Sequence, residues 1–259
     1  MSDDCPKKEV WKNYWESIVD TDSIYPSSTS VLKTILKVIN PVGLKILEVG
    51  AGTGRDSVNL AKLGAEVTVL DFSESSLRII GSLKDRYCLD NLKIVNGDAL
   101  STPFDDKTFD LVFRQGLLEH FREPKKLLKE QYRIIRPGGY CLCDVPQTFH
   151  IYTVMKKILI ALNGWFAGWE TQYTIHSLKR LIESEGFAIV YVYGDWMRPC
   201  LLYRIARKLL LQFGLRLPMY PLKGTFIQRW KDSFLDSISC YNIAHYTQVS
   251  VGVLAKKPI

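Results

Sequence analysis

The chain has 259 residues, 47% of them hydrophobic, and a formal net charge of +7. This length suits one large domain with insertions, and the apolar content excludes a disordered chain. Its six cysteines form no CxxC pair and show no metal spacing with histidine, which favours a reduced, cytoplasmic compartment. The first residues carry no basic start followed by an apolar run, so we expect no signal peptide.

Residues 1–43 predict two helices ahead of the repeating part of the chain. Apolar residues recur at helical spacing from Val10 to Val19, and a second helix is expected over 30–39, ending before Asn40 and Pro41. The simplest interpretation is that both helices pack on the core.

From residue 44 onward, predicted strands and helices alternate, as in a doubly wound α/β sheet. The strands are expected at 44–49, 66–70, 92–95, 109–113, 140–145, 187–193 and 249–255, and the helices at 53–63, 74–84, 122–135 and 174–185. Thr174 is placed to cap the last of these helices. Two insertions, 147–172 and 194–248, fall outside this pattern. Ligands bind beyond the carboxyl ends of such strands, so we expect the insertions to form a pocket and a lid.

A glycine-rich turn follows the first strand. Glycines at 50, 52 and 54 suit positive φ angles or close contact with a ligand. A dinucleotide fingerprint would require glycine where Arg55 stands. Glu48, just before the turn, would repel a pyrophosphate and suits a cationic ligand instead.

The segment 46–54, ILEVGAGTG, resembles motif I of the class I S-adenosylmethionine (SAM) dependent methyltransferases, whose cofactor carries an ammonium and a sulfonium. The resemblance implies a seven-stranded Rossmann-like sheet in which the last strand is antiparallel. It also implies that the leading helices, in residues 1–43, cover the cofactor, with Tyr14 or Trp15 near the sulfonium. The cofactor would be held at this turn by Glu48, Gly50, Ala51, Gly52 and Gly54.

Two more turns extend the resemblance on the adenosine side. Asp71 ends the second strand about twenty residues after the glycines, where a carboxylate can accept hydrogen bonds from both ribose hydroxyls. Capping the following helix is its alternative role. Phe72 is expected against the adenine ring or in the core. Asp98 and Ala99 resemble the family segment that binds the adenine amino group and a ring nitrogen.

The residues that follow the fourth strand are candidates for binding the methionine part of SAM and for removing a proton. Gln115 and Gly116 would contact the methionine part of SAM through their backbone. His120 is the candidate base, because an imidazole accepts protons at neutral pH; a structural hydrogen-bonding role is the alternative. Some family members carry an E-x-x-E-H metal site here. In this chain Gly116 replaces the first ligand and leaves only Glu119 and His120, so we expect no metal.

The insertions carry the only signals for the acceptor. Residues 151–162 are apolar around most of the helix, which suits an apolar or aromatic small molecule. Residues 201–213 combine a basic stripe, including Arg204 and Lys208, with leucines opposite. This helix would pack its apolar side on the domain as a lid or lie on an anionic membrane surface. No nucleic acid partner is expected, because the basic residues are interleaved with leucines.

The sequence therefore predicts a SAM-dependent methyltransferase that acts on a small acceptor, apolar, aromatic or lipid-linked. Oxygen is the expected methylated atom. A SAM-binding or partner-binding module without activity is the first alternative. A dehydrogenase is the second, and Arg55 argues against it.

Overall fold

The computed structural model describes residues 8–17, 30–222, 224–238 and 241–259. Its sheet has seven strands in the order β3-β2-β1-β4-β5-β7-β6. The strands are β1 Lys45–Val49, β2 Glu66–Asp71, β3 Leu92–Asn96, β4 Phe109–Gln115, β5 Ile135–Pro146, β6 Ala188–Asp195 and β7 Ser250–Lys256. β7 runs antiparallel to β5 and β6, whereas β1 to β5 pair in parallel. The predicted doubly wound sheet with an antiparallel last strand is confirmed.

Helices lie on both faces of this sheet. They are α1 Lys8–Glu16, α2 Ser30–Val38, α3 Arg55–Lys62, α4 Glu74–Tyr87, α5 Pro124–Ile134, α6 Ile151–Ala161, α7 Ile175–Ser184, α8 Leu201–Gln212 and α9 Phe226–Ile238. One core packs α2, α3 and α4 against β1 and β2, and the other packs α5 and α7 against β5 and β7. The two cores make a three-layer α/β/α domain.

The strands read as continuous apolar runs because the sheet is covered on both faces. β1 and β2 are buried at every position after the first residue. Cys141 and Cys143 alternate along β5 and lie in one core. Thr174 caps α7 through a reciprocal pair of hydrogen bonds with Ser177, as predicted.

β5 differs from the prediction at its start. The strand was expected to begin at residue 140, but it begins at Ile135, and its pairing with β4 shifts in register between Phe109 and Leu111. Gly139 makes this possible, because a Cβ there would lie 3.0 Å from the carbonyl oxygen of Asp110. The glycine therefore serves a close approach of two strands.

The insertions are largely helical. The first contains α6, and the second contains α8 and α9, of which α9 was not predicted. Within the described ranges, no helix combines the length and apolar character needed to cross a bilayer.

Candidate functional site

The turn after β1 is tightly enclosed by other parts of the chain. Gly50, Gly52 and Gly54 all have positive φ angles, between 54° and 69°. A Cβ on Gly50 would lie 2.9 Å from Leu117, and one on Gly52 would lie 2.8 Å from the ring of Trp15. Glycine is required here both for the backbone conformation and for these contacts.

Asp71, the last residue of β2, is only 5% exposed and holds the glycine turn in place. One carboxylate oxygen accepts from the backbone N–H of Gly52 (3.1 Å) and from Oγ of Ser76 (3.2 Å). The other accepts from the N–H of Ser73 at 2.9 Å. Burial raises the pKa of Asp71, and these hydrogen bonds oppose the rise. The carboxylate thus links the glycine turn to the start of α4. This contact is close to helix capping, the alternative to the predicted ribose binding.

Glu48 lies beneath the same turn and is 6% exposed. Its carboxylate accepts a hydrogen bond of 2.5 Å from Oγ of Ser57. Burial raises the pKa of Glu48 well above its ordinary value, and the nearby carboxylates of Asp56 and Asp71 add to the rise. Burial also raises the pKa of Asp56 to about 6. A buried Glu48 with two further acids beside it suits a cationic ligand and not a pyrophosphate.

The other predicted cofactor residues lie at the same edge of the sheet. Asp98 follows β3, where its Oδ1 accepts from the N–H of Leu100 at 2.9 Å, and Ala99 packs on the core. Phe72 is half-buried, and its carbonyl accepts from the side chain of Asn96, which joins the turns after β2 and β3. Gln115 ends β4. Gly116 follows it with a φ of +64° and donates its N–H to the carbonyl of Asp144 at 3.0 Å.

A cavity of about 630 Å³ adjoins this edge. Gly116 lines it, so the cavity meets the predicted cofactor residues at the end of β4. The remaining walls come from α1, both insertions and the ends of β5 and β6, and include Trp11, Asp144, Tyr152 and Asp195.

A buried ion pair lies on the inner side of α6. Nζ of Lys156 contacts Oε2 of Glu170, and the two side chains are 5% and 3% exposed. Glu170 also accepts from the indole N–H of Trp165 at 2.8 Å. The pair joins two distant points of the first insertion and places charge in the cavity wall.

Glu119 and His120 are buried side by side in the same cavity. Burial raises the pKa of Glu119 to about 8, although Lys156 opposes the rise. Burial lowers the pKa of His120 to about 4. Oε2 of Glu119 and Nδ1 of His120 have no hydrogen-bond partner among the described residues. Both side chains are therefore largely uncharged at neutral pH and have an atom available to a ligand.

Two more acids lie at or near the carboxyl ends of β5 and β6, the two strands that flank β7. Asp144 on β5 and Asp195 on β6 are 2% and 4% exposed, and Ser250 lies 3.3 Å from Asp144. Burial raises the pKa of Asp144 well above its ordinary value, and Asp195 adds to the rise. Neither acid was predicted from the sequence, although their position at strand ends could have indicated them. Lys156 and Glu170 were not predicted either, because no motif marks them.

Aromatic rings from α1 and the first insertion meet over the cavity. Tyr14 stacks on Phe166 at 5.1 Å between ring centroids, and Trp11 makes edge contacts with Phe166 and His120. Trp15 continues this cluster toward Gly52. The leading helix therefore lies between the glycine turn and the cavity.

The apolar sides of α6 and α8 face away from the protein. Ile151, Ile158 and Leu162 are 59%, 56% and 72% exposed, and Leu202 and Phe213 are 78% and 79% exposed. Of residues 151–162, Tyr152 and Lys156 line the cavity, whereas the aliphatic side chains lie outside it. The prediction that the helix at 201–213 packs its apolar side on the domain is wrong, because no residue of α8 is buried.

Comparison with known proteins agrees with the fold and the glycine turn. The methyltransferase domain family matches residues 47–143. The demethylmenaquinone methyltransferase of Staphylococcus aureus strain JH9 is 33% identical over 171 residues, which cover 58% of this chain and 70% of that protein. A SAM-dependent methyltransferase from Aquifex aeolicus has a TM-score of 0.59 at 14% identity, over 95% of this chain and 97% of the other.

The cyclase SpnF has a TM-score of 0.62 at 17% identity, over 89% of this chain and 81% of its own. At such identities, the two structures show likeness of fold alone. The family match and the Staphylococcus aureus relative go further than fold. The chain belongs to the class I SAM-dependent methyltransferases, and it is an enzyme whose cofactor is SAM.

Proposed function

We propose that this enzyme methylates a hydroxyl oxygen on a small aromatic acceptor that carries a lipid tail. The observation that carries the proposal is the pair of buried proton-accepting groups, Glu119 and His120, in a cavity that begins at Gly116. The relative named demethylmenaquinone methyltransferase supports an acceptor of the ring-plus-lipid kind.

The cofactor contacts form part of the proposal. Glu48 lies where it can bind the ammonium, and Asp71 accepts hydrogen bonds from Gly52, Ser73 and Ser76. A ribose hydroxyl would replace one of these internal donors. Asp98 and Ala99 are assigned to adenine and Phe72 to its face. The carbonyl and N–H groups near Gln115 and Gly116 are assigned to the methionine part.

When bound, SAM supplies a methyl group made electrophilic by its sulfonium. The protein then has to hold the acceptor in line and exclude water, an effect worth up to about 7–11 kcal/mol of the barrier. Trp11, Tyr14 and Phe166 enclose the cavity from one side and offer flat apolar surfaces for an aromatic ring.

Proton removal is assigned to His120, with Glu119 as the alternative base. With its pKa lowered to about 4, His120 is neutral at physiological pH and can accept a proton at Nδ1, but weakly. Glu119, with its pKa raised to about 8, is the stronger base and becomes available only as the pH rises. The pH profile of the reaction distinguishes the two.

The charges of the cavity argue for a polar group on the acceptor. Lys156, Asp144 and Asp195 all contribute to its walls, and a wholly apolar molecule would cover these polar groups without offering them a hydrogen bond. A hydroxylated ring can form hydrogen bonds with them, and a lipid tail can extend beyond the cavity.

The test uses SAM labelled in its methyl group, incubated with the enzyme and separately with lipid extracts and water-soluble metabolites. We expect label in a lipid-extractable product, and mass spectrometry with NMR to place the methyl on oxygen. Label only in water-soluble products would overturn the acceptor class, and methyl on carbon or nitrogen would overturn the assigned atom. SAM binding by calorimetry without any labelled product would favour the alternative, a SAM-binding module without activity.

A further inference from the structure

The three helices of the insertions are amphipathic with the apolar side facing outward. On α6 the inner side carries Thr153 and Lys156, both buried, while the residues on the opposite side are exposed. α8 has no buried residue. We call the exposed apolar side chains of these helices the outer face. It includes Ile151, Ile158 and Leu162 at α6, Leu202, Leu209 and Phe213 at α8, and Phe226, Trp230 and Phe234 at α9.

On α9 this arrangement is especially clear. Phe226, Trp230 and Phe234 are 75%, 64% and 53% exposed, and the rings of Trp230 and Phe234 stack at 6.0 Å. Their spacing of four residues places them on one side of the helix. Gln228 and Asp232 fall on the other side and line the cavity. The helix therefore separates a polar interior from an apolar exterior.

The charged side chains that the structure describes beside the outer face are basic. Arg229 and Lys231 are exposed and flank the aromatic stripe of α9 on its two sides, and Lys208 is exposed beside the stripe of α8. The described acidic side chains of the insertions point elsewhere. Glu170 and Asp195 are buried, and Asp232 pairs with Arg198 at 2.8 Å.

Soluble monomers rarely expose so many large apolar side chains in one region, so the outer face needs an occupant. Aromatic and leucine side chains flanked by Lys and Arg match an anionic lipid surface, with rings at the headgroup level and cations at the phosphates. We propose that the outer face of α6, α8 and α9 docks on anionic membranes. The inner sides of the same helices wall the cavity through Lys156, Arg204 and Asp232, so docking brings that wall against the lipid.

The experiment is sedimentation of the full chain with phosphatidylglycerol–phosphatidylcholine vesicles and with pure phosphatidylcholine vesicles. We expect stronger binding to the anionic vesicles. Trp230→Ser combined with Phe234→Ser should weaken it by about a hundredfold, from the apolar area that no longer inserts. Arg229→Gln combined with Lys231→Gln should weaken binding to the anionic vesicles by roughly 25-fold, at about fivefold per charge, and so reduce the preference for anionic lipid.

A matched control removes equally apolar residues elsewhere. Leu36→Ser combined with Leu63→Ser changes two side chains that are 43% and 44% exposed on α2 and after α3, outside both insertions, and should leave sedimentation unchanged. Quenching of tryptophan fluorescence by brominated acyl chains, absent in Trp230→Phe, would show that α9 inserts. Calorimetric affinity for SAM verifies that each variant is folded.

No binding of the wild-type chain to either vesicle would overturn the proposal. So would equal loss in the control variant. Ultracentrifugation that shows a dimer dispersed by the Trp230 and Phe234 changes would assign the outer face to a second copy instead. Vesicle binding requires no acceptor, so its failure is distinct from a failure of the proposed methyl transfer.

Discussion

Replacing Lys156 by methionine is the most direct test of the charged cavity wall. The change keeps the length of the side chain and removes its cation. Glu170, whose side chain is 3% exposed, would keep its hydrogen bond from Trp165 but lose its buried counter-charge. Breaking one half of a buried pair in this way costs about 3–5 kcal/mol. That is a large fraction of the roughly 5–15 kcal/mol that stabilises a domain.

The double change Lys156→Met with Glu170→Gln removes both charges and retains a hydrogen-bond acceptor for Trp165. Replacing a buried pair by neutral groups is nearly neutral in many proteins, so most of the loss should be recovered. The two side chains touch, and their coupling in a double-mutant cycle should therefore exceed about 2 kcal/mol.

Urea denaturation at neutral pH measures the free energy of unfolding of each variant. Lys126→Met is the control, because Lys126 and Glu123 form an ion pair that is 54% exposed on both sides and should matter by less than about 1 kcal/mol. If the double variant were as unstable as Lys156→Met alone, the buried pair would not be the cause, and the reasoning would be refuted.

Three further predictions concern the cofactor edge and the base. Asp71→Ala should lower the affinity for SAM, measured by calorimetry, at least tenfold, because a lost charged hydrogen bond costs about 1.5–3 kcal/mol. Asp85→Ala, on the exposed side of α4, is the control and should leave the affinity unchanged. Full affinity in Asp71→Ala would contradict the ribose assignment. The folded-state pKa of Glu119, about 8, lies above its ordinary 4.5, so the protonated form stabilises the fold at low pH and stability should fall as pH rises through 8. In Glu119→Gln this fall in stability should disappear. If Glu119 is the base, kcat/KM of the unaltered enzyme rises through pH 8 and that of Glu119→Gln does not. A rise that persists in the variant would exclude Glu119 as the base. Gly52→Ala should cost about 1–2 kcal/mol for its φ of +54° plus the displacement of Trp15, whereas Gly64→Ala, with positive φ and no close neighbour, should cost the φ penalty alone. Unfolding curves compare the two, and equal losses would show that the contact of Trp15 with Gly52 contributes nothing.

The sheet was predictable because its strands are apolar runs separated by turn residues. The glycines after the first strand were a second signal, because alternate glycines indicate a backbone conformation that other residues rarely adopt. The position of the cofactor edge follows from the same reasoning. Glu48, Asp71 and Gln115 each stand at or near the carboxyl end of a strand, where parallel strands bring their ends together.

The insertions could not be predicted in the same way. Residues 151–162 are apolar around most of the helix, so the sequence does not indicate which side faces the core. The direction is set by Lys156, which pairs with Glu170 far along the chain, and no local pattern reveals that contact. α9 escaped prediction because its apolar stripe covers no core.

The aromatic contacts of α1 have a consequence for the speed of turnover. Trp11 and Tyr14 hold this helix to Phe166 through ring contacts worth about 0.5–1.5 kcal/mol each, beyond the area they bury. Lifting the helix breaks only a few such contacts and no strand pairing. If α1 covers the cofactor, as the resemblance implies, exchange of spent cofactor for fresh requires only this movement of the helix, on the microsecond-to-millisecond scale of loop motions.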